Sequence, residues 1–224
     1  MKIGLVYTST TPELIADLER EVRGRLGEDV EILSYQDPSI LQEIRDAGYV
    51  TAPAASRLVS LYMEAVRDGA QAVLNTCSSV GEVADACQDL ARFIGIPIVR
   101  VDEEMCRQAV RMGKRIGVLA TLNSTMQPTC STVLRVAREM GRQVELEGVV
   151  AEGAFGLNQA QFQELLKENA RKFSSDVDVV LLAQGSMAYC QEELSELLGL
   201  PVLSSPSIGA AALKQALQWK GALR

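Results

Sequence analysis

Residues 73–81 read V-L-N-T-C-S-S-V-G, and this stretch decides the fold that we predict. A short apolar run ends abruptly at Asn75, and beyond Gly81 the apolar residues recur with helical spacing. This pattern predicts a buried strand that turns into a helix at Cys77. In open α/β sheets, ligands bind at the carboxyl ends of the strands, and a helix N-terminus favours the thiolate form of a nearby cysteine. Cys77 is therefore the first candidate for chemistry.

The rest of the chain alternates strands and helices in the same way. Short Val-, Ile- and Leu-rich runs predict strands at residues 2–7, 30–35, 70–76 and 95–99. Helical periodicity predicts helices at residues 13–26, 53–68, 81 to about 93 and 103–111, with a loop and short helix in residues 37–50. Such alternation is typical of parallel sheets with right-handed crossovers.

At residue 114 the same order of predicted strands and helices starts again. Residues 116–121 (I-G-V-L-A-T) mirror residues 3–8 (I-G-L-V-Y-T), and each run leads into a Ser/Thr-rich loop. Residues 179–184 mirror residues 72–77, and G-L-P-V at 199–202 mirrors G-I-P-I at 95–98. Three matches in the same order and at similar separations indicate a duplicated α/β unit.

We therefore predict an α/β fold of two similar three-layer α/β/α domains, each with a small parallel sheet. The first domain comprises residues 1–98 and 205–224 and carries Cys77, and its C-terminal helix, residues 208–219, packs back on it. The second comprises residues 99–204 and carries Gln184. We expect a pseudo-twofold relation between the domains and an active site in the cleft between them, because strand carboxyl ends from both would meet there.

Composition excludes several classes of function. The chain has 224 residues and a formal net charge of −7, which argues against a nucleic-acid partner. No apolar run approaches the ~20 residues of a membrane span, and we expect the short, strand-like run of the first residues not to be a signal peptide. The five cysteines do not have the spacing of a disulfide framework, which favours a location in the reducing cytoplasm. The absence of histidine excludes Ser–His–Asp and Cys–His catalysis and any His-ligated metal site.

The predicted loops carry neutral hydrogen-bonding groups rather than a glycine-rich nucleotide motif. We expect no cofactor and no metal, and a small carboxylate-bearing substrate, whose enolate-like oxyanion such donors would stabilise. The candidate substrate-binding residues are Ser9, Asn75, Thr76, Ser78, Ser79, Thr121, Asn123, Ser124, Thr125, Gly185 and Ser186.

Simpler interpretations of the same residues stand beside this one. A cysteine at the end of a buried strand is often a small core residue, and hydroxyl residues before helices are often N-caps. The other four cysteines lie in predicted helices and are expected to be structural: Cys87, Cys106, Cys130 and Cys190.

Three motifs resemble the aspartate/glutamate/hydantoin racemase superfamily: N-T-C-S-S at 75–79, A-T-L-N-S-T at 120–125 and L-L-A-Q-G-S-M at 181–187. The resemblance spans essentially the whole chain. It implies a cofactor-independent enzyme that acts beside a carboxylate or carbonyl, in which two cysteines face each other across the substrate. Cys77 matches the first cysteine, and Thr121, Ser124 and Thr125 match the middle loop's substrate contacts.

The chain departs from the family at the second cysteine, where it has Gln184. A neutral amide cannot act as a general acid or base near pH 7. The family convention predicts an isomerase of the amino-acid racemase type that uses Cys77. The alternatives are a single-thiol decarboxylase, a cis-trans isomerase that uses the thiol covalently, and a non-catalytic protein that binds small carboxylates. Substrate identity and oligomeric state stay open, with a homo-oligomer as one option.

Overall fold

The computed structural model describes residues 1–154 and 156–223 and divides into two compact α/β units. Unit 1 comprises Met1–Val101 and Pro206–Arg224, and unit 2 comprises Asp102–Ser205. Each unit contains a four-stranded parallel sheet flanked by helices, which confirms the prediction of two α/β domains with small parallel sheets.

Unit 1 begins with a strand at the first residues and follows the predicted alternation. Its elements are β1 (Lys2–Tyr7), α1 (Pro12–Leu26), β2 (Glu31–Gln36), α2 (Pro38–Ala47), α3 (Ala52–Arg67), β3 (Ala72–Asn75), a 3₁₀ turn (Ser78–Val80), α4 (Gly81–Ala86), α5 (Gln88–Ile94) and β4 (Ile98–Arg100). The strand order is β2-β1-β3-β4, and every neighbouring pair is parallel.

Unit 2 repeats this plan. Its elements are α6 (Glu103–Met112), β5 (Arg115–Ala120), α7 (Asn123–Glu139), β6 (Glu145–Val150), α8 (Gln159–Ala170), β7 (Val179–Leu182), a 3₁₀ turn (Gly185–Cys190), α9 (Gln191–Leu198) and β8 (Val202–Leu203); α10 (Ser205–Trp219) follows it. The strand order is β6-β5-β7-β8, again all parallel. The two sheets therefore have the same topology, as the repeated sequence predicts.

Each sheet of the protein lies between two helical layers. In unit 1, alternate residues of β1 face opposite ways: Val6 packs with Leu58 of α3, whereas Leu5 packs with Leu18 of α1 and Leu213 of α10. Unit 2 shows the same alternation in β5, where Leu119 packs in the cluster of α8 and α9 while Val118 and Ala120 pack beside α7. Burial of both faces explains why these strands read as continuous apolar runs.

The glycine at the second position of each repeated run, residues 3–8 and 116–121, has a packing reason. A Cβ on Gly4 would lie 2.7 Å from the Cβ of Ala65 in α3. A Cβ on Gly117 would lie 2.9 Å from Val180 and 3.0 Å from the ring of Phe173. The repeated Ile-Gly pair thus marks the places where a neighbouring side chain approaches the central strand of each sheet.

The predicted helix from residue 81 to about 93 is wrong as one element, because it is divided at Cys87. Cys87 has φ −85° and ψ 2°, outside the helical range. The side-chain amide of Gln88 donates to the carbonyls of Ala84 and Ile98, both at 2.8 Å. These bonds connect the residues at the break to β4. Hydrogen bonds of the Gln88 side chain thus replace backbone hydrogen bonds of a continuous helix.

The sequence analysis did not predict β6. Its residues E-L-E-G-V-V alternate acidic and apolar side chains and include Gly148, which weakens a strand pattern. The strand lies at the edge of the sheet and is only half-buried, so it lacks the apolar run of the central strands. Within the described part of the chain, no helix is long and apolar enough to cross a membrane.

Candidate functional site

The first group of candidate residues lies at the carboxyl ends of β1 and β3. These strands are neighbours, and Val6 pairs with Asn75. Ser9 is half-buried in the turn after β1, and Cys77 follows β3 by two residues. The register thus brings together the predicted residues of both loops: Ser9, Asn75, Thr76, Cys77, Ser78 and Ser79.

The Cys77 turn is held by the side chain of Asn75. The Asn75 amide nitrogen donates to the carbonyl oxygen of Cys77 at 2.9 Å, while its buried oxygen Oδ1 has no hydrogen-bond partner. Cys77 has extended backbone angles, and the 3₁₀ turn begins directly after it. The thiol is partly exposed and packs at the edge of the core cluster that contains Tyr62. This geometry leaves a partly exposed thiol beyond the end of a buried strand.

The hydroxyl residues around Cys77 are less exposed than the thiol. Thr76 donates its hydroxyl to the carbonyl oxygen of Val6 at 2.9 Å, so this proton is used within the protein. Ser78 and Ser79 are buried in the 3₁₀ turn. Their assignment as substrate-binding residues stays a prediction.

Sequence reasoning missed two polar residues at this edge, Thr8 and Arg100. Thr8 is buried directly after β1, and its hydroxyl has no hydrogen-bond partner. Arg100 ends β4 opposite Asn75, and its side chain is only 1% exposed. Both could have been found from the rule that polar residues at strand carboxyl ends lie near the ligand.

Arg100 is packed against the start of α4. Its Nη1 contacts Oδ2 of Asp85 at 2.6 Å. A Cβ on Gly81 would lie 2.3 Å from the Arg100 guanidinium carbon, so the cation occupies the space of the missing side chain. Burial of a charge is costly unless it is paired, and this pair lies against the helix that follows the Cys77 turn.

The second group of candidate residues lies at the carboxyl ends of β5 and β7. Leu119 pairs with Leu182, and Gln184 follows β7 by two residues as Cys77 follows β3. Gln184 therefore takes the position in unit 2 that Cys77 takes in unit 1. Its Oε1 accepts from the backbone N–H of Thr121 at 2.9 Å, and its Nε2 donates to the Thr121 hydroxyl oxygen at 2.5 Å.

The predicted loop at residues 121–125 is shorter than expected, because α7 already begins at Asn123. Asn123 is exposed, Ser124 is half-buried and Thr125 is buried in the first turn of this helix. The N-cap of this helix is Leu122, which makes no side-chain capping bond, so none of these hydroxyl residues is its N-cap. The loop residues Gly185 and Ser186 open the 3₁₀ turn after Gln184, and Ser186 is exposed.

The other cysteines are embedded in the protein to different degrees. Cys87, Cys106 and Cys190 are buried, and Cys130 is half-buried. Burial raises the pKa of the Cys87 and Cys130 thiols and raises the pKa of Cys190 to about 11. Cys190 lies in the core cluster of unit 2 with Leu194, a packing role that matches its expected structural status.

No group of three or more His, Cys, Asp or Glu side chains within residues 1–154 and 156–223 is arranged to hold a metal ion. The candidate residues therefore offer one thiol, hydroxyls and amides. Such groups can hold anionic oxygens and move a proton or attack an electrophilic carbon.

Comparisons with known proteins identify the relatives of this chain. A family model described as Asp/Glu/Hydantoin racemase matches residues 3–213. No curated protein gives a significant match.

Several solved structures have a similar fold. Allantoin racemase from Klebsiella pneumoniae superposes with a TM-score of 0.70 at 14% identity, covering 99% of this chain and 89% of that one. Glutamate racemase from Thermus thermophilus gives 0.70 at 18% identity, covering 100% and 83%. Arylmalonate decarboxylase gives 0.55 at 16% identity, covering 96% and 92%. At these identities the likeness concerns the fold.

Proposed function

The chain belongs to the Asp/Glu/hydantoin racemase family, and from this premise we propose that it is a cofactor-independent enzyme. It acts at the carbon next to the carboxylate of a small substrate such as an amino acid, a hydantoin or a dicarboxylate. Cys77 is the only thiol in the reaction. One observation carries this proposal: an accessible thiol follows β3, whereas the equivalent position after β7 holds Gln184, whose amide is bonded to Thr121.

The proposed chemistry begins at the Cys77 sulfur. As a thiolate it takes the proton from the substrate carbon, and the electron pair of the C–H bond moves onto the carboxylate as an enediolate. The resulting S–H group then returns a proton to the same carbon. In the family's two-thiol scheme a second cysteine serves the opposite face, and a neutral amide such as Gln184 cannot replace it. In heavy water these steps give proton exchange on one face of the substrate, and a net conversion needs a further bond of the substrate to break, as in decarboxylation.

Neutral donors would stabilise the enediolate in this proposal. On the first sheet they are Asn75, Ser78 and Ser79, and on the second they are Thr121, Ser124 and Thr125. Hydrogen-bond donors that are fixed in place before the reaction stabilise a developing oxyanion without reorganisation. In this proposal the dipoles of these donors, rather than a metal or cofactor, balance the negative charge of the substrate.

A decarboxylase is the second candidate, and Gln184 is the observation that favours it. Loss of carbon dioxide breaks the bond between the substrate carbon and one of its carboxyl groups and leaves the electron pair as an enediolate. Only one proton donor is then needed, and the Cys77 S–H group supplies that proton from one face. One thiol thus completes this reaction.

The test is proton NMR in heavy water with amino acids, hydantoins and 2-substituted dicarboxylates, using wild type, Cys77→Ala and Cys130→Ala. Cys130→Ala removes a half-buried thiol from unit 2 and controls for general effects of cysteine loss. We expect wild type and Cys130→Ala to exchange the proton or release carbon dioxide, and Cys77→Ala to do neither.

The stereochemical outcome distinguishes the candidates. Exchange with retention indicates one-face chemistry, and release of carbon dioxide indicates the lyase. Inversion would show racemisation and require a second acid that is not Gln184. Tight binding of these compounds without turnover would instead support a carboxylate-binding protein.

A further inference from the structure

The orientation of the Gln184 amide is determined by its partner, Thr121. The backbone N–H of Thr121 can only donate, so the amide atom that it contacts at 2.9 Å must be the oxygen Oε1. The amide nitrogen Nε2 therefore faces the Thr121 hydroxyl oxygen at 2.5 Å and donates to it. One side chain thus holds both the backbone and the side chain of Thr121.

This arrangement determines what the Thr121 hydroxyl can do. A threonine hydroxyl has one proton to donate and two lone pairs, and one lone pair is taken by Gln184. The O–H proton must point away from the Gln184 N–H groups. Among the described residues, no other hydrogen bond uses the Thr121 side chain. Thr121 and Gln184 are both only half-buried, so this proton is available to a ligand.

We propose that Gln184 is a positioning residue that holds the Thr121 hydroxyl as a donor to an anionic oxygen of a carboxylate ligand. The ligand class rests on the proposed function, whereas the positioning role rests on the two hydrogen bonds. In this family member, the position of the second cysteine has changed from proton transfer to ligand orientation. A fixed donor also loses less conformational freedom on binding than a rotating one.

Unit 1 has no equivalent of the two hydrogen bonds between Gln184 and Thr121, so the shared fold alone does not produce them. Thr8 follows Val6 in β1 by two residues, as Thr121 follows Leu119 in β5. The equivalent of Gln184 there is Cys77, and the Thr8 hydroxyl is buried without a partner. The glutamine at position 184 is therefore what distinguishes the two threonines.

A double-mutant cycle tests the proposal with malonate as the probe. Binding is followed by the shift of the backbone amide of residue 121 in NMR titrations of wild type, Thr121→Val, Gln184→Met and the double variant. Methionine has the length of glutamine without its hydrogen bonds or any new charge. We expect Thr121→Val to weaken malonate binding about tenfold in wild type, which corresponds to about 1.4 kcal/mol, and by no more than about twofold in Gln184→Met.

Two controls separate positioning from loss of structure. Thr121→Ser keeps the hydroxyl and should restore binding to within about threefold of wild type. Malonamide has no charge and should bind equally to all variants. The cycle is repeated in the Cys77→Ala background, where it should give the same coupling, so that its result does not depend on the role of Cys77.

Each contrary result overturns a definite part of the proposal. Equal effects of Thr121→Val with and without Gln184 would exclude the positioning role. If Thr121→Val leaves malonate affinity unchanged, or if malonate causes no shift in wild type, the Thr121 hydroxyl is excluded as a hydrogen-bond donor to the anion. Failure of Cys77→Ala to reduce turnover would contradict the proposed function and leave this cycle intact.

Discussion

Thr8 and Thr121 occupy equivalent positions at the ends of β1 and β5, but their hydroxyl groups differ in hydrogen bonding. The Thr8 hydroxyl is buried without a partner, whereas the Thr121 hydroxyl accepts from Gln184. A buried polar group without a partner lowers the free energy of unfolding, and a satisfied one does not. The two threonines therefore provide a matched pair for measuring this difference.

Replacement of each threonine by the isosteric valine should lower the free energy of unfolding at position 121 but not at position 8. Thr8→Val removes an unpaired hydroxyl, so we expect the free energy of unfolding to stay the same or rise by up to about 1 kcal/mol. Thr121→Val leaves the Gln184 amide without its acceptor, and we expect a loss of about 1 kcal/mol. Urea denaturation of both variants measures the difference, and equal losses would contradict it.

Gly81→Ala should destabilise the protein through Arg100. The new methyl carbon would lie 2.3 Å from the guanidinium carbon, which has to move although its side chain is 1% exposed. Overpacking of a filled site costs about 1–3 kcal/mol, and we expect a loss in this range. Gly24→Ala is the matched control, since Gly24 lies in α1 and the added carbon would have no atom within 4 Å apart from the adjacent backbone of the helix. Thermal denaturation in which both variants behave alike would exclude the close packing of Arg100.

Cys77 should be the first cysteine to react with iodoacetamide at pH 8. It is partly exposed, whereas Cys87, Cys106 and Cys190 are buried, and burial raises the pKa of the half-buried Cys130 thiol. Cys77 and Cys130 are both partly exposed, but thiolates rather than thiols are alkylated, so the raised pKa of Cys130 slows its reaction. Peptide mapping by mass spectrometry measures the order of modification. Modification of Cys130 at the same rate would show that the Cys77 turn is less accessible than described.

The Cys190 thiol should make stability decrease at alkaline pH. Burial raises its pKa from 9.0 to about 11, so the unfolded chain loses this proton before the folded protein does. The contribution of Cys190 is complete below about pH 9 and is lost as the pH rises to about 11. Denaturation by urea at pH 7, 9 and 11 should therefore show a smaller decrease in Cys190→Ala than in wild type, by about 2 kcal/mol. An identical pH dependence of both proteins would contradict the raised pKa.

The central part of the fold was predictable because the sheets are buried on both faces. Strands β1, β3, β5 and β7 read as short apolar runs, and the repeated Ile-Gly and Gly-x-Pro patterns revealed the duplication. The edge strand β6 was missed because none of its six residues is buried and two of them are acidic. The break at Cys87 was missed because it depends on hydrogen bonds of the Gln88 side chain, one of which reaches the distant Ile98 carbonyl.

The candidate site was predictable by position but not by contact. The rule on strand ends pointed to Cys77 and Gln184, and the register places both two residues beyond paired strand positions. The bonds between Gln184 and Thr121 join residues that are far apart in sequence, and periodicity carries no information about them. Arg100 was overlooked because a charged residue after a short strand usually indicates a solvated end, whereas Asp85 and the space at Gly81 allow its burial.

The most direct test of the central claim compares the rates at which wild type and Cys77→Ala exchange the proton next to a carboxylate with heavy water. The comparison uses the compound that wild type turns over fastest, with Cys130→Ala as the control. We predict that Cys77→Ala lowers the rate by about 100- to 10,000-fold, the range typical of losing a general acid–base group, while Cys130→Ala stays close to wild type. A Cys77→Ala protein that exchanges this proton at the wild-type rate would contradict the account.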